Sequence, residues 1–241
     1  MSINSKPQSC RSKAPLKAQT AESRFTLGRI PAYVLVVLLV MAAAQLLCYY
    51  LTRLALPRLT LHILTGPLDA RIPFSPPWVT VYFLSFPFWI CTALWFLSES
   101  RAYAYRLCSA YVLAMLLCAM IYLIWPGTMV RPEIAGGGFF DKWMRFLYRV
   151  DAPTNLCPSL HVLITWFCWR GTLGCRGIPR WYKLVSFVFF LAVCCAVPLV
   201  KQHALIDVPC GLLVGELSMQ CARLCRLERI PFRIENHFRK E

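Results

Sequence analysis

Four stretches of this chain are apolar over about 20 residues each, the length a helix needs to cross the hydrocarbon core of a bilayer. They run over 31–52, 78–98, 107–125 and 182–200. Across the whole chain 58% of residues are hydrophobic and only 15% are charged. A water-soluble domain of 241 residues needs more polar surface than that. The pattern predicts an integral membrane protein of the all-α class, a polytopic helix bundle. Two weaker segments bring the expected spans to about six. One starts near Ser159 and ends at Arg170, and the other covers 204–222 and carries Glu216. Residues 30–222 are read as one membrane domain, flanked by basic tails at 1–29 and 223–241, the first of them expected to be disordered. No cleavable signal peptide is expected ahead of the first long run.

A formal net charge of +15 raises the question of nucleic acid. The basic residues flank apolar runs, however, and no separate polar domain carries them, so nucleic-acid binding is set aside. Their distribution instead orients the helices. With six spans, eighteen Lys and Arg residues fall on the side of the termini and eight on the other. The positive-inside tendency then places both termini in the cytosol. Arg131, His161 and His203 fall on the extracytoplasmic side. The outer segment 53–77 is rich in proline yet apolar, and is expected to be half-buried at the interface or to cover a lipid entrance.

Thirteen cysteines are present. Most lie inside apolar runs, as Cys48, Cys91, Cys108, Cys118, Cys194, Cys195 and Cys210 do, where they act as small hydrophobes. No paired CxxC pattern indicates zinc or a disulfide framework. Cys157 stands close to the candidate chemistry and is read as a packed small residue.

That chemistry lies between 126 and 207. His203 and Asp207 are spaced i, i+4, which on a helix puts them on one face, one turn apart. The carboxylate can then hold one ring nitrogen and leave the other as a nucleophile. His161 follows Pro158-Ser159, and Ser159 can cap the helix that starts there. Free backbone NH groups at such a helix start can hold an anion, and a protonated imidazole can give a proton to a leaving oxygen. Arg131 and Lys201 add positive charge suited to a phosphoryl group. Arg145 and Arg149 are read as interfacial, or as partners of Asp141 or Asp151. Glu216 is read as paired with a basic neighbour at the inner interface.

Taken together, Arg131-Pro132, Pro158-Ser159-Leu160-His161, and His203 with Asp207 resemble the three motifs of the type 2 phosphatidic acid phosphatase superfamily, over roughly 78–222. The resemblance implies a lipid-phosphatase-type core and a phosphohistidine intermediate on His203. It makes Asp207 the orienting partner, His161 the general acid and base, and Arg131 and Ser159 phosphate ligands. Each of the three motifs departs from the family pattern. Ile124 stands where the first motif has Lys, Leu160 where the second has Gly, and Ala196-Val197 where the third has Ser-Arg. Lys201 is the candidate replacement for a missing cation. The wording 145–155, Pro-Ser-Leu-His and Lys-Gln-His is similar to inositol phosphorylceramide synthases and their bacterial relatives.

The expected activity is hydrolysis of a lipid phosphate of the phosphatidic acid or polyprenyl (pyro)phosphate class, with no metal and no other cofactor. The alternatives are transfer of a phosphoryl-headgroup between lipids, and a non-enzymatic transporter or scaffold for anionic lipid. Partners are the lipid phosphate and membrane lipids, and the expected location is a cell membrane. The orientation has a direct check. A reporter enzyme active only outside the cytosol should be active when fused after residue 136 and inactive when fused after residue 176.

Overall fold

The computed structural model describes residues 30–238. The expectation of a disordered tail at 1–29 falls outside the described residues. The rest is mostly helical, in the order α1 (Ala32–Ala55), β1 (His62–Ile63), α2 (Pro67–Arg71), α3 (Val79–Leu97), α4 (Arg101–Ile124), β2 (Gly127–Thr128), α5 (Phe139–Val150), α6 (Leu160–Leu173), α7 (Arg180–Leu199), α8 (Asp207–Leu224) and α9 (Arg229–Phe238). Four segments are long and apolar enough to cross a bilayer: Ala32–Arg58, Pro76–Leu97, Arg101–Ile124 and Arg180–Leu199. They match the four long runs of the sequence. The two weaker segments form helices as well, α6 with 14 residues and α8 with 18.

Local chemistry explains where these helices start. Ser100 opens α4 by accepting a hydrogen bond from the Tyr103 N–H at 3.2 Å. Ser159 opens α6 by accepting from the Val162 N–H at 3.4 Å. Each satisfies one of the donors that a helix start leaves free. Pro31 and Pro179 stand just before α1 and α7, where a missing N–H costs nothing.

Helix α6 is the centre of the bundle. Ten of its fourteen residues are buried, against five of twenty-four in α1. It packs on α3, α7 and α8, while α4 bridges α1 to α8. The main core joins Trp89, Phe96, Tyr111, Met115, Leu163 and Phe167 from α3, α4 and α6. A second core lies between α3, α5, α6 and α7, built on Tyr82, Met144, Leu147, Val162 and Phe190. Two polar side chains of the main core bond in sequence. The Trp89 Nε1–H donates to Thr165 Oγ1 at 2.8 Å, and Thr165 donates to the His161 carbonyl at 2.7 Å. The outer faces are apolar too: Leu39, Leu54, Trp181 and Leu184 are all exposed. Apolar exposure on this scale suits lipid rather than water.

Helix α5 has a different character. It buries Met144 and Leu147 and leaves Phe139, Trp143 and Phe146 exposed beside Lys142, Arg145 and Arg149. Aromatic rings next to cations suit a helix lying at a bilayer surface. The segment before α3 is tied down at several points. Strand β1 pairs in parallel with β2, His62 stacks on Trp125 at 4.1 Å, and the Ser75 N–H donates to the Leu199 carbonyl at 2.9 Å. Beyond α8 the chain turns into α9, where Arg101 pairs with Glu235 at 2.8 Å and Tyr105 meets Phe232, so the basic stretch after 223 includes a helix docked on α4.

Charged groups gather at the far end of α6 from His161. Glu216 of α8 accepts from the Arg170 Nε and NH2 groups at 2.9 Å each, from the Trp166 Nε1–H at 3.0 Å and from Gln220 at 2.6 Å. This is the basic pairing that the sequence suggested for Glu216.

Helices α6 and α8 come so close that one position between them has no room for a side chain. A Cβ on Gly211 would stand 2.6 Å from the Ser159 carbonyl oxygen, a backbone atom that cannot rotate away. Gly211→Ala should therefore cost about 1–3 kcal/mol through forced backbone shifts. That corresponds to a drop of several degrees in the melting temperature of the detergent-solubilised protein, at about 2–4 °C per kcal/mol. Gly137, where an added Cβ meets nothing within 4 Å, is the control, and Gly137→Ala should melt with the parent.

Candidate functional site

A cavity of about 260 Å³ opens between α1, α3 and the loop before α6. Its polar wall is formed by His161, His203, Gln202, Asn155, Thr154 and Asp151, and its apolar wall by α1 and α3 side chains such as Leu46, Phe83 and Phe86. Residues 42 positions apart in sequence thus meet. The His161 and His203 ring centres lie 6.2 Å apart, with the planes inclined at 55°. A single tetrahedral group can touch both rings at that spacing.

His203 does not sit on a helix. The i, i+4 reading on a shared helical face is corrected here. Helix α7 ends at Pro198-Leu199, Lys201 takes a left-handed φ of 53°, and the Gln202 and His203 N–H groups both turn back to the Val197 carbonyl at 3.0 and 3.2 Å. Helix α8 then begins only at Asp207, not at 204. The contact with Asp207 is made all the same, by a different route. Its Oδ2 reaches back to accept from the Ala204 N–H at 2.9 Å and faces His203 Nδ1 at 3.2 Å. The Leu156 carbonyl faces the same Nδ1 at 2.9 Å. Neither a carbonyl nor a carboxylate can donate, so Nδ1 carries the hydrogen. The neutral ring is left with an unprotonated Nε2.

Asp207 also joins the two helices. It is fully buried, and its backbone carbonyl accepts from the Ser159 N–H at 3.1 Å. Ser159 itself is fully buried and spends its hydroxyl on the α6 cap. It is absent from the cavity wall, so the expected contact with phosphate is replaced by a positioning role. Cys157, the packed small residue of the sequence reading, stands near Asp207. Burial and then the Asp207 charge push its thiol pKa up, which keeps it neutral.

His161 is held by rings. It stacks on Tyr82 at 3.9 Å, meets Phe86 edge-on at 5.5 Å and lies 5.1 Å from Trp89. Its Nε2 is buried and has no protein partner. Tyr82 in turn donates to Asp151 Oδ2 at 2.8 Å, while Tyr49 of α1 donates to Asp151 Oδ1 at 2.6 Å and accepts from Arg53 at 3.0 Å. Asp151 is thus engaged by tyrosines rather than by Arg145 or Arg149. Arg145 donates instead to the carbonyls of Ile134 and Gly136, at 3.0 and 2.7 Å, and Asp141 accepts from the Gly138 N–H at 2.9 Å.

Arg131 stands one layer behind the cavity. Its NH1 donates to the Asp151 carbonyl at 2.6 Å, its NH2 bonds Gln202 Oε1, and its guanidinium lies 4.5 Å from the centre of the Tyr148 ring. Burial lowers the Arg131 pKa, and Asp151 opposes that. The charge therefore reaches the cavity through Gln202, whose Nε2 is buried and has no protein partner. Lys201 does not face the cavity at all. Its Nζ donates to the Asp69 and Ile72 carbonyls at 2.9 and 2.5 Å, closing the end of α2, because the left-handed turn points it toward the 53–77 segment. Asp69 completes that tie by accepting from the Leu205 N–H at 2.7 Å.

Of the residues singled out from sequence, His161, His203 and Asp207 come together, Arg131 supports them indirectly, and Ser159 and Lys201 hold backbone. Sequence reasoning passed over Gln202, Asn155, Tyr82, Tyr49 and Asp151 as site residues. Compared with family models, with curated proteins and with solved structures, the chain matches none.

The ring assignment of His203 has a spectroscopic check. Nitrogen-15 NMR of histidine-labelled protein in detergent should show a protonated Nδ1 and a bare Nε2 for the neutral ring of His203. Asp207→Leu removes one of the two acceptors and should shift that ring toward a mixture of tautomers.

Proposed function

We propose that this protein is a membrane lipid-phosphate phosphatase of the type 2 phosphatidic acid phosphatase kind, working through a phosphohistidine. One observation carries the reading: His203 has both acceptors on Nδ1, which leaves Nε2 free in a cavity that a second imidazole shares. That is the arrangement a nucleophile and its acid–base partner require. The apolar wall from α1 and α3, with Leu46 and Phe86 exposed at its surface, gives the lipid chain a path to the cavity. In this reading α6 and α8 complete a six-helix membrane core and the cavity faces away from the cytosol.

The steps follow from the groups present. Gln202 Nε2, polarised by Arg131 behind it, donates to a phosphate oxygen and takes the place of a direct cation. His203 Nε2 attacks phosphorus, and the bond from phosphorus to the lipid oxygen breaks. His161 gives that oxygen its proton, so the alcohol leaves neutral. Asp207 balances the charge that develops on the His203 ring. Water then attacks the phosphoryl group, His161 takes its proton, the P–N bond breaks and phosphate departs. If the donor lipid's phosphate already carries a headgroup and the hydroxyl of another lipid takes the place of water, the same steps pass the phosphoryl-headgroup to that hydroxyl.

The decisive assay uses purified protein in detergent with chelator present and phosphatidic acid or polyprenyl phosphate as substrate. Free phosphate should appear. His203→Ala should lower turnover by at least about 10³-fold, as expected when a nucleophile is removed. With labelled lipid, an acid-labile phosphoprotein should be trapped in the parent and be missing in His203→Ala. Undiminished turnover in that variant would falsify the mechanism. In a parallel assay with a headgroup-bearing phospholipid as donor and a lipid alcohol as acceptor, formation of a new lipid phosphodiester, with no free phosphate from the monoesters, would identify the transferase instead.

A further inference from the structure

Beside the two imidazoles, the cavity wall carries polar atoms that the phosphoryl chemistry does not use. Asn155 is buried, with 5% of its surface exposed, and lines the cavity. Its Nδ2 donates to the Tyr49 carbonyl at 3.1 Å and to Thr52 Oγ1 at 2.9 Å. Thr52 gives its own hydrogen to the Cys48 carbonyl at 2.6 Å, so toward Asn155 it can only accept. Two partners that cannot donate fix the amide's orientation. Asn155 Oδ1 is therefore the free end, buried and without a protein partner. Thr154, next in the chain, also lines the cavity, and its Oγ1 is buried and unpartnered as well.

A buried acceptor left unpaired costs free energy, and native proteins pair almost all such groups. The ligand that pairs Asn155 Oδ1 must bring a hydrogen. A deprotonated phosphate oxygen cannot do so, because it carries no hydrogen and its lone pairs repel those of Oδ1. The anion belongs on the other side, at Gln202 Nε2, where the amide is fixed in the opposite sense: Oε1 faces the Arg131 guanidinium, which only donates, and the free end is a donor. Two residues of the cavity lining thus hold fixed amides of opposite sense, one with a free donor and one with a free acceptor, each buried. Asn155 is also adjacent in sequence to Leu156, whose carbonyl holds His203. The acceptor is fixed to the same short loop as the reacting nitrogen.

We infer that Asn155 and Thr154 form a hydroxyl-binding subsite, and that the substrate is a lipid phosphate whose alcohol carries a second, free hydroxyl near the phosphate ester. The substrate hydroxyl donates to Asn155 Oδ1 and accepts from the Thr154 hydroxyl. This inference rests on the lipid-phosphatase reading and narrows it. Fully acylated glycerol phosphate and polyprenyl phosphate have no hydroxyl for this subsite, whereas a monoacylglycerol phosphate has one. A net hydrogen bond contributes enough to give a preference of about tenfold.

The test uses a matched pair of lipids in mixed micelles: monooleoylglycerol 3-phosphate, and the propanediol analogue in which the free hydroxyl is replaced by hydrogen. The parent protein should favour the hydroxyl-bearing lipid by about tenfold in kcat/KM. Thr154→Val keeps the shape, breaks no hydrogen bond within the protein, and should cut the ratio several-fold. Asn155→Gly tolerates the left-handed φ of 55° and should bring the ratio near one, whatever its absolute rate. The two lipids are also compared by thermal shift on His203→Ala, which needs no turnover. There the hydroxyl-bearing lipid should stabilise more. Equal turnover together with equal shifts overturns the subsite and leaves the phosphatase reading standing. Unequal shifts with no turnover of either lipid by the parent keep the subsite and overturn the phosphatase reading.

Discussion

Asp207 fastens together the two chain segments that carry the chemistry. Its carboxylate fixes the turn before α8 through the Ala204 N–H and orients His203, while its carbonyl receives the Ser159 N–H at the start of α6. One residue therefore sets both the direction of one imidazole and the distance to the helix that carries the other. The joint works only because Gly211, one turn into α8, leaves the Ser159 backbone room to approach. A buried carboxylate is expensive unless its hydrogen bonds are made; the bonds to Asp207 Oδ2 are the ones that define the site, while Oδ1 is buried without a protein partner. Stability and geometry at this point depend on the same contacts.

Asp151 plays the matching part on the other side of the cavity. It gathers the Tyr49 hydroxyl of α1, the Tyr82 hydroxyl of α3 and, through its backbone, the Arg131 guanidinium. Tyr82 is the hinge of this arrangement, because the ring that donates to Asp151 also stacks on His161. The cavity wall is thereby tied from several elements at once, and the side chains that face a ligand keep few alternatives. This fixed orientation is what gives meaning to the free ends of Gln202 and Asn155. A loosely held amide could turn to satisfy itself, and these two cannot.

Much of this arrangement is legible in the chain itself, and what is not legible is hidden for physical reasons. Long apolar runs identify α1, α3, α4 and α7, because an unbroken apolar stretch of that length is at home as a helix in lipid and in few settings besides. Ser159 marks a helix start through its cap, and His161, His203 and Asp207 stand out as titratable groups at the edges of apolar segments. Tyr82 and Tyr49 do not stand out in the same way. A tyrosine within an apolar run looks the same whether it faces lipid or holds a carboxylate, and only the packing of α1 and α3 separates the two. Lys201 is misplaced by spacing alone, because spacing along the chain says nothing about a left-handed turn. Gln202 lies between two residues that draw attention by charge, yet it faces the cavity beside His203 while Lys201 turns away. Asp151 has the look of a partner for nearby arginines, but the tyrosines of α1 and α3 occupy its oxygens.

Helix α6 has 14 residues, a length of about 21 Å, against about 36 Å for the 24 residues of α4. At that length it falls short of the hydrocarbon thickness of a bilayer. It is covered by α3, α7 and α8, so it meets protein where a longer helix would meet lipid. In a membrane setting its placement must therefore wait for its neighbours. α3 and α4 can partition on their own hydrophobicity; in the proposed six-span arrangement α6 and α8 would be drawn in afterwards around α7, with Arg170 and Glu216 paired. The two helices at the heart of the site would then be the last to settle, and the cavity would come into being only when assembly of the bundle is complete.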